Sequence, residues 1–205
     1  MPEPPSLDTF DLLELHRAGD SWALEELLRR HYPRVQRVVR VRLGPALAAR
    51  VEVGDVVQQT MARAVERLDE FTPRDDARLI HWLARIAENE ILRLAKYHGA
   101  ERRNPGREHQ AMPPGQSGSW QPPSPSTQVP ERAARREREQ IVDACLAGLA
   151  EDQREVVLLR EYVGGDWAFV ATEMRRSSEA AQQLYQRARR ALADRVRRRI
   201  AAEDV

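Results

Sequence analysis

Proline placement constrains the fold of this chain more than any other sequence feature. Of the 13 prolines, seven lie between Pro105 and Pro130, and none follows Pro130. The stretch 104–130 also carries glycine, serine and glutamine and has almost no aliphatic side chains to bury, which is typical of a flexible or extended linker. We therefore expect two domains, residues 1–103 and 131–205, each long enough for a small core.

Apolar residues recur at helical spacing in both predicted domains, and alternating runs of β-branched residues are almost absent. The N-terminal pattern predicts helices over 7–16, from a cap at Asp20, from Pro33 to a stop at Gly44, over 55–69 and over about 78–98. The C-terminal pattern predicts helices from about 131, over 152–163, over 166–174 and after 178. The expected fold class is all-α: two small helical domains joined by a Pro-rich linker.

The last two predicted helices carry the strongest local signal. A short helix, a turn at 175–178 and a longer helix with amide and basic side chains are typical of a helix-turn-helix, although a plain helical hairpin would give a similar pattern. Glutamine can read adenine edges, and arginine can read guanine or grip phosphate. The residues expected to face duplex DNA are Glu179, Gln182, Gln183, Gln186, Arg187, Arg189 and Arg190.

Two further polar faces lie in the N-terminal half. Asp55 and Gln58 fit a capping box at a helix start, which is a structural role. The cap does not explain Gln59, Arg63 and Glu66, which extend a polar face that could meet a partner. On the next helix an aromatic ring, an asparagine in a helix interior and nearby basic side chains suit single-stranded nucleic acid. The residues of that second face are Trp82, Ile86, Asn89, Arg93 and Tyr97, and the basic residues near it are Arg85, Lys96, Arg102 and Arg103.

The charged residues and the single cysteine bear on which partners and bonds the chain can have. The formal net charge is only +1, yet seven arginines oppose one acid between Leu184 and Ile200, so the last helix should attract a polyanion. Of the 33 basic residues only Lys96 is not arginine, which codon bias explains as well as function does. The single cysteine, Cys145, cannot form an internal disulfide, and we expect a buried structural thiol.

No phosphate-binding glycine loop, metal-ligand spacing or nucleophile elbow is evident in the sequence. We therefore expect no catalytic residue, no cofactor, no metal site and no small-molecule substrate, and hence no enzyme. No signal peptide and no apolar run near 18 residues is present, which predicts a cytoplasmic protein without membrane insertion.

The order of these elements resembles the extracytoplasmic-function (ECF) group of sigma factors in the sigma-70 family, whose two helical domains are called region 2 and region 4. Residues 17–27, 79–89 and the motif Asp55-Val56-Val57-Gln58-Gln59-Thr60 look like region 2. Residues 149–160 and 186–192 look like region 4. Together these matches cover nearly everything outside the termini and the linker.

The resemblance implies a sigma factor that binds core RNA polymerase and directs promoter recognition, DNA melting and transcription initiation. Polymerase would contact Asp55, Gln58, Gln59 and Arg63, and the linker would run toward the RNA exit channel. The melted strand of the minus-ten promoter element would contact Trp82, Arg85, Asn89, Arg93 and Lys96. The final helix would read the minus-thirty-five element in duplex DNA. An anti-sigma factor is a further partner that the family allows, although the sequence identifies none.

Two alternatives stay open from the sequence. One is a helix-turn-helix repressor or activator with an N-terminal sensor or dimerisation domain, and the other is a helical adaptor that has lost DNA binding. Departures from the family pattern occur at Leu79, Gln59, Gln182 and Gln183, and in the turn, where Arg175 replaces the usual glycine and Arg176 an aliphatic residue. Arginine at 175 predicts backbone strain or another turn geometry.

Overall fold

The computed structural model describes residues 7–71, 76–103 and 130–203. These ranges are helical apart from short turns and contain no strand, which confirms the expected all-α class. The predicted linker lies outside the described residues except for Pro130, where a helix begins, so its flexibility stays a prediction.

The helices form two compact units. The first contains α1 (Thr9–Arg17), most of α2 (Ser21–Ala48), α3 (Val53–Glu66) and α4 (Asp76–Arg103), with a 3-10 turn at Leu68–Glu70. The second contains α5 (Pro130–Ala147), α6 (Glu151–Val157), α7 (Trp167–Met174) and α8 (Ser178–Glu203), and residues 40–45 group with it.

Helices α3 and α4 contribute much of the core of the first unit, alongside buried residues of α1 and α2. The predicted stripe of α4 is buried throughout, as is that of α3 with its following turn, and the two helices pack against each other. The buried residues of these two stripes are Val57, Met61, Ala64, Leu68, Ile80, Leu83, Ala84, Ala87, Ile91 and Leu94.

The prediction of a helix boundary at Pro33 is wrong. A single helix, α2, runs through this position, and its first non-helical residue is Gly44 with φ 66° and ψ 161°. Proline inside a helix costs about 3 kcal/mol. Buried residues continue at helical spacing on both sides of it, including Leu27, Leu28 and Val35, and this continuous packing offsets the lost hydrogen bond. The predicted stop at Gly44 is confirmed as a break in the helix.

Capping side chains fix the start of the first two helices. Asp8 accepts a hydrogen bond from the Asp11 amide at 2.9 Å, and the Asp11 carboxylate accepts one from the Asp8 amide at 2.9 Å, which makes a capping box. The Asp20 carboxylate accepts from the Trp22 amide at 2.9 Å, as its predicted capping role requires. The bonds to the Asp11 and Trp22 amides satisfy donors that the first helical turn leaves unpaired.

Helices α6 and α7 pack mainly on α8 in the second unit. The most buried apolar residues there are Leu146, Val156, Leu158, Val170, Ala181 and Ala188. The stripe expected for α5 is only partly correct: Leu149 is buried, but Ile141, Val142 and Cys145 are half-buried, and Leu146 is the residue with no exposed surface. Cys145 is therefore not the buried thiol that the sequence predicts.

Candidate functional site

The polar face of α3 begins one turn earlier than expected. Glu52 is the N-cap of the helix and makes no side-chain capping bond, so Asp55 lies in the first turn instead of at the cap. The predicted capping box of Asp55 and Gln58 is therefore wrong. Asp55 and Gln58 are exposed, and Asp55 remains favourable to the helix through the macrodipole. Neither side chain is the cap of α3, so substituting Asp55 or Gln58 would not remove a capping bond.

Two other residues of this face are held by α4. The Gln59 side-chain oxygen accepts a hydrogen bond from Arg93 Nη2 at 3.0 Å. Arg63 forms an ion pair with Glu90. Arg93 also pairs with Glu90, from Nη2 at 2.7 Å and from Nε at 3.1 Å. Gln59, Arg63, Glu90 and Arg93, which we call the Glu90 cluster, join the face assigned to polymerase to the face assigned to DNA.

The residues assigned to the melted strand on α4 differ in exposure. Arg85, Asn89 and Lys96 are exposed. Trp82 is half-buried because its ring packs on Phe71, with the centroids 5.2 Å apart. Ile86 was expected on the same exposed face, and this is wrong: it is 6% exposed and belongs to the core. The exposed face of α4 that a melted strand would meet is therefore narrower than predicted.

The turn between α7 and α8 keeps the geometry that glycine usually supplies. Arg175 caps α7 in the left-handed conformation, with φ 53° and ψ 47°, and it is the one non-glycine residue with positive φ in the described ranges. Its amide and that of Arg176 bond to carbonyls of α7. The expected strain at Arg175 is thus confirmed, and the alternative of another turn geometry is not adopted.

Short polar contacts complete this turn. Asp166 caps α7 through the Phe169 amide at 2.7 Å, and the Ser177 hydroxyl accepts from the Ala180 amide at 3.1 Å at the start of α8. Arg176 pairs with Asp152 of α6. A hydrogen bond to the Glu179 backbone and one to the Ser177 hydroxyl lower the pKa of the Glu179 carboxyl, so this group is ionised at neutral pH.

The long helix α8 separates a buried face from a polar one. Ala181, Leu184, Tyr185 and Ala188 are buried against the unit. The residues predicted to face duplex DNA are all exposed: Glu179, Gln182, Gln183, Gln186, Arg187, Arg189 and Arg190. Their common exposure makes the polar face of α8 available to a nucleic-acid groove.

An aromatic and cationic stack, which the sequence did not reveal, supports α8. The rings of Trp167 and Tyr185 meet edge to face with centroids 5.3 Å apart. Arg160 lies 4.9 Å from the centre of the Trp167 ring, and Arg189 lies 5.6 Å from that of Tyr185. The Tyr185 hydroxyl bonds to Glu161, and burial together with this bond raises the pKa of Tyr185. The Arg189 guanidinium group therefore contacts the Tyr185 ring as well as facing solvent.

The described ranges contain no group of three or more histidine, cysteine, aspartate or glutamate side chains that could hold a metal ion. None of the helices in those ranges is both long and apolar enough to cross a membrane.

Comparison with protein families gives two matches in order along the chain. Residues 27–101 match the model of sigma-70 region 2, and residues 139–192 match the model of sigma-70 region 4. Together they account for more than half of the chain.

Similar proteins agree with these matches. The ECF RNA polymerase sigma factor SigM of Mycobacterium tuberculosis, in two strains, is 36% identical over 93 residues, which are 43% of this chain and 43% of SigM. The chain thus matches less than half of the length of these relatives. A solved structure of CnrH in complex with the cytosolic domain of CnrY aligns with a TM-score of 0.53 and 25% identity, over 91% of this chain and 95% of CnrH.

The two region matches, in this order and on an all-helical fold, show that the chain belongs to the sigma-70 family, and the relatives that it matches are of the ECF group.

Proposed function

We propose that this protein binds core RNA polymerase and directs it to promoters, where it recognises duplex DNA with α8 and captures a melted strand with α4. The observation that carries the proposal is the pair of matches to sigma-70 regions 2 and 4, together with the uninterrupted exposed polar face of α8. The protein would supply recognition and leave the chemistry to the polymerase, so it would not be an enzyme, and it would act in the cytoplasm.

Three surfaces would divide this work. Polymerase would contact α3 at Asp55, Gln58, Gln59 and Arg63. The melted strand would meet Trp82, Arg85, Asn89, Arg93 and Lys96. Duplex DNA would meet Glu179, Gln182, Gln183, Gln186, Arg187, Arg189 and Arg190.

The match of the N-terminal unit to region 2 favours this function over a repressor or activator with a sensor domain. We also propose an anti-sigma factor as a partner. The similar CnrH structure, which was solved in complex with the cytosolic domain of another protein, CnrY, supports this proposal. We further propose that residues 104–130 act as the linker between the two domains.

Promoter-dependent transcription with purified core polymerase tests the proposal. The full chain should direct initiation from specific sequences, and core polymerase without it should not. Symmetric binding to duplex DNA without polymerase would favour the repressor, and polymerase binding without promoter DNA would favour the adaptor.

Strand capture can be separated from duplex recognition. Asn89→Ala should leave binding to upstream duplex DNA unchanged and impair opening, which a comparison of holoenzyme on a pre-melted bubble and on the matching duplex would detect. An equal loss on upstream duplex that lacks the minus-ten element would contradict the assignment of Asn89.

A further inference from the structure

Glu90 is a charged residue in the core of the first unit. Its side chain is only 4% exposed, although it lies directly after the exposed Asn89 on α4. A carboxylate removed from water is strongly unfavourable unless cations and hydrogen-bond donors compensate it. Here the compensation comes from two arginines, Arg63 on α3 and Arg93 on α4.

The two arginines differ from Glu90 in their contact with solvent. The Arg63 side chain is 45% exposed and that of Arg93 is 38% exposed, so both guanidinium groups reach the surface. Two positive charges oppose one negative charge, which leaves the Glu90 cluster with a net positive charge at its exposed side. Each arginine therefore holds Glu90 with part of its guanidinium group and leaves the rest available to a partner.

Gln59, the fourth residue of the cluster, is held through Arg93. Arg93 Nη2, which bonds to Glu90 at 2.7 Å, donates to the Gln59 side-chain oxygen at 3.0 Å. Planar guanidinium groups can hold several acceptors in a fixed arrangement. The orientation of Gln59 on α3 and that of Arg93 on α4 therefore depend on each other and on the same buried carboxylate.

We propose that Glu90 is a positioning residue that fixes Gln59 and Arg63 for polymerase and Arg93 for the melted strand, and so couples the two contacts. The inference rests on the proposed function. Binding at one surface would restrain the side chains of the other, and an energetic coupling of this kind must act in both directions.

Glu90→Gln in the full-length chain tests the role of the buried charge, because the amide keeps the shape of the side chain. We expect core polymerase to bind several-fold more weakly. We also expect holoenzyme, assembled at saturating core concentration, to bind a pre-melted bubble on the order of tenfold more weakly, within the range of couplings between contacting residues. Glu70→Gln is the matched control, because Glu70 forms an exposed ion pair with Arg67 at 2.9 Å in the same unit. It should change neither affinity.

Cross-effects distinguish positioning from simple stabilisation. At a temperature well below unfolding, Gln59→Ala should weaken bubble binding at saturating core, and Arg93→Gln should weaken core binding. These two variants also keep the test informative if Glu90→Gln does not fold. A lowered melting temperature with both affinities unchanged in all three variants would overturn the proposal and leave Glu90 as a core residue only. Failure of the wild-type chain to bind core polymerase would instead contradict the proposed function.

Discussion

The indole ring of Trp82 packs on the ring of Phe71, with centroids 5.2 Å apart and planes tilted by 38°. The Phe71 ring is buried, and its carbonyl accepts a hydrogen bond from Arg17 Nη2 at 3.1 Å. Trp82 thus joins α4 to the segment after the 3-10 turn. A residue assigned to nucleic acid therefore also stabilises the fold.

Trp82→Ala should destabilise the protein by roughly 2 kcal/mol, which is below the usual loss for a fully buried tryptophan because the ring is half-buried. Thermal unfolding should show the first unit melting earlier, by about 4–8 °C for each kcal/mol lost. Trp82→Phe should recover most of this stability. The affinity of holoenzyme with this variant for a pre-melted bubble then shows whether the indole ring itself contacts the melted strand. Equal stability of Trp82→Ala and wild type would contradict the packing role.

Asp55→Ala offers a cleaner test of polymerase contact than the sequence suggested. Because Asp55 is not the N-cap, we expect a stability loss of only about 0.3–1 kcal/mol from the helix dipole and a clear fall in core affinity. Glu52→Ala is the matched control, since Glu52 is an acid at the same helix end without a capping bond, and it should bind core normally. Unchanged core affinity of Asp55→Ala would argue against α3 as the docking surface.

Arg175→Gly should stabilise the second unit by about 1 kcal/mol, because a left-handed backbone is strained for residues with a Cβ atom. Chemical denaturation would measure the gain. Arg176→Gly should do the opposite, since it removes the ion pair with Asp152 and the backbone there has no positive φ. A loss of stability in Arg175→Gly would mean that the arginine side chain contributes more than its backbone costs.

Substitutions of two neighbouring arginines of α8 should change the salt dependence of promoter affinity to different extents. Arg187 is exposed, so Arg187→Ala should weaken promoter binding for all sequences and reduce the salt slope of affinity by about 0.9 if it neutralises one phosphate. Arg189→Ala should reduce the slope less and also lower stability slightly, because Arg189 lies over the Tyr185 ring. Promoter binding by holoenzyme across salt concentrations gives both slopes. The hypothesis of groove binding by α8 fails if neither variant changes affinity at any salt concentration.

The stability of the first unit should depend on pH through Glu26. Hydrogen bonds and charge from Arg29 and Arg30 lower the pKa of the Glu26 carboxyl from 4.5 to about 2, with 2.7 Å contacts to both arginines. Because the folded pKa is below the unfolded one, this stabilisation is present above about pH 4.5 and is lost as the pH falls toward 2. The melting temperatures of wild type and Glu26→Gln should therefore converge over that range. A constant difference from pH 7 to pH 2 would exclude this ion pair as the cause.

Local patterns in the sequence are sufficient to predict much of the helical framework. The stripe of α4 and the cap at Asp20 depend on residues a few positions apart, and both are confirmed. For Arg175 the sequence left backbone strain or another turn geometry open, and the left-handed backbone corresponds to the first of these. Continuity of α2 through Pro33 could not be predicted in this way, because it depends on tertiary packing that offsets a local penalty.

The site was harder to predict for the same reason. The Glu90 cluster joins residues 34 positions apart, from Gln59 to Arg93, and the Tyr185 hydroxyl meets Glu161 across 24. Neither pairing has a periodic signal. The one available clue was an acid within the apolar part of α4, since an unpaired charge there would be costly and therefore requires cationic neighbours.

The end of α6 has a wider turn than an α-helix. Residues Leu158–Tyr162 form a π-helical segment in which the Val163 amide bonds to the Leu158 carbonyl at 3.0 Å, five residues back. Such a turn holds one more residue than α-helical spacing allows. Deleting a single residue within it would convert the wide turn to α-helical spacing and displace the side chains inside the segment, Glu161 among them, relative to Tyr185. Chimeras that exchange this segment with that of a relative should therefore be aligned by turn length as well as by residue identity, because an insertion or deletion here would alter the support of α8 without changing any residue of its exposed face.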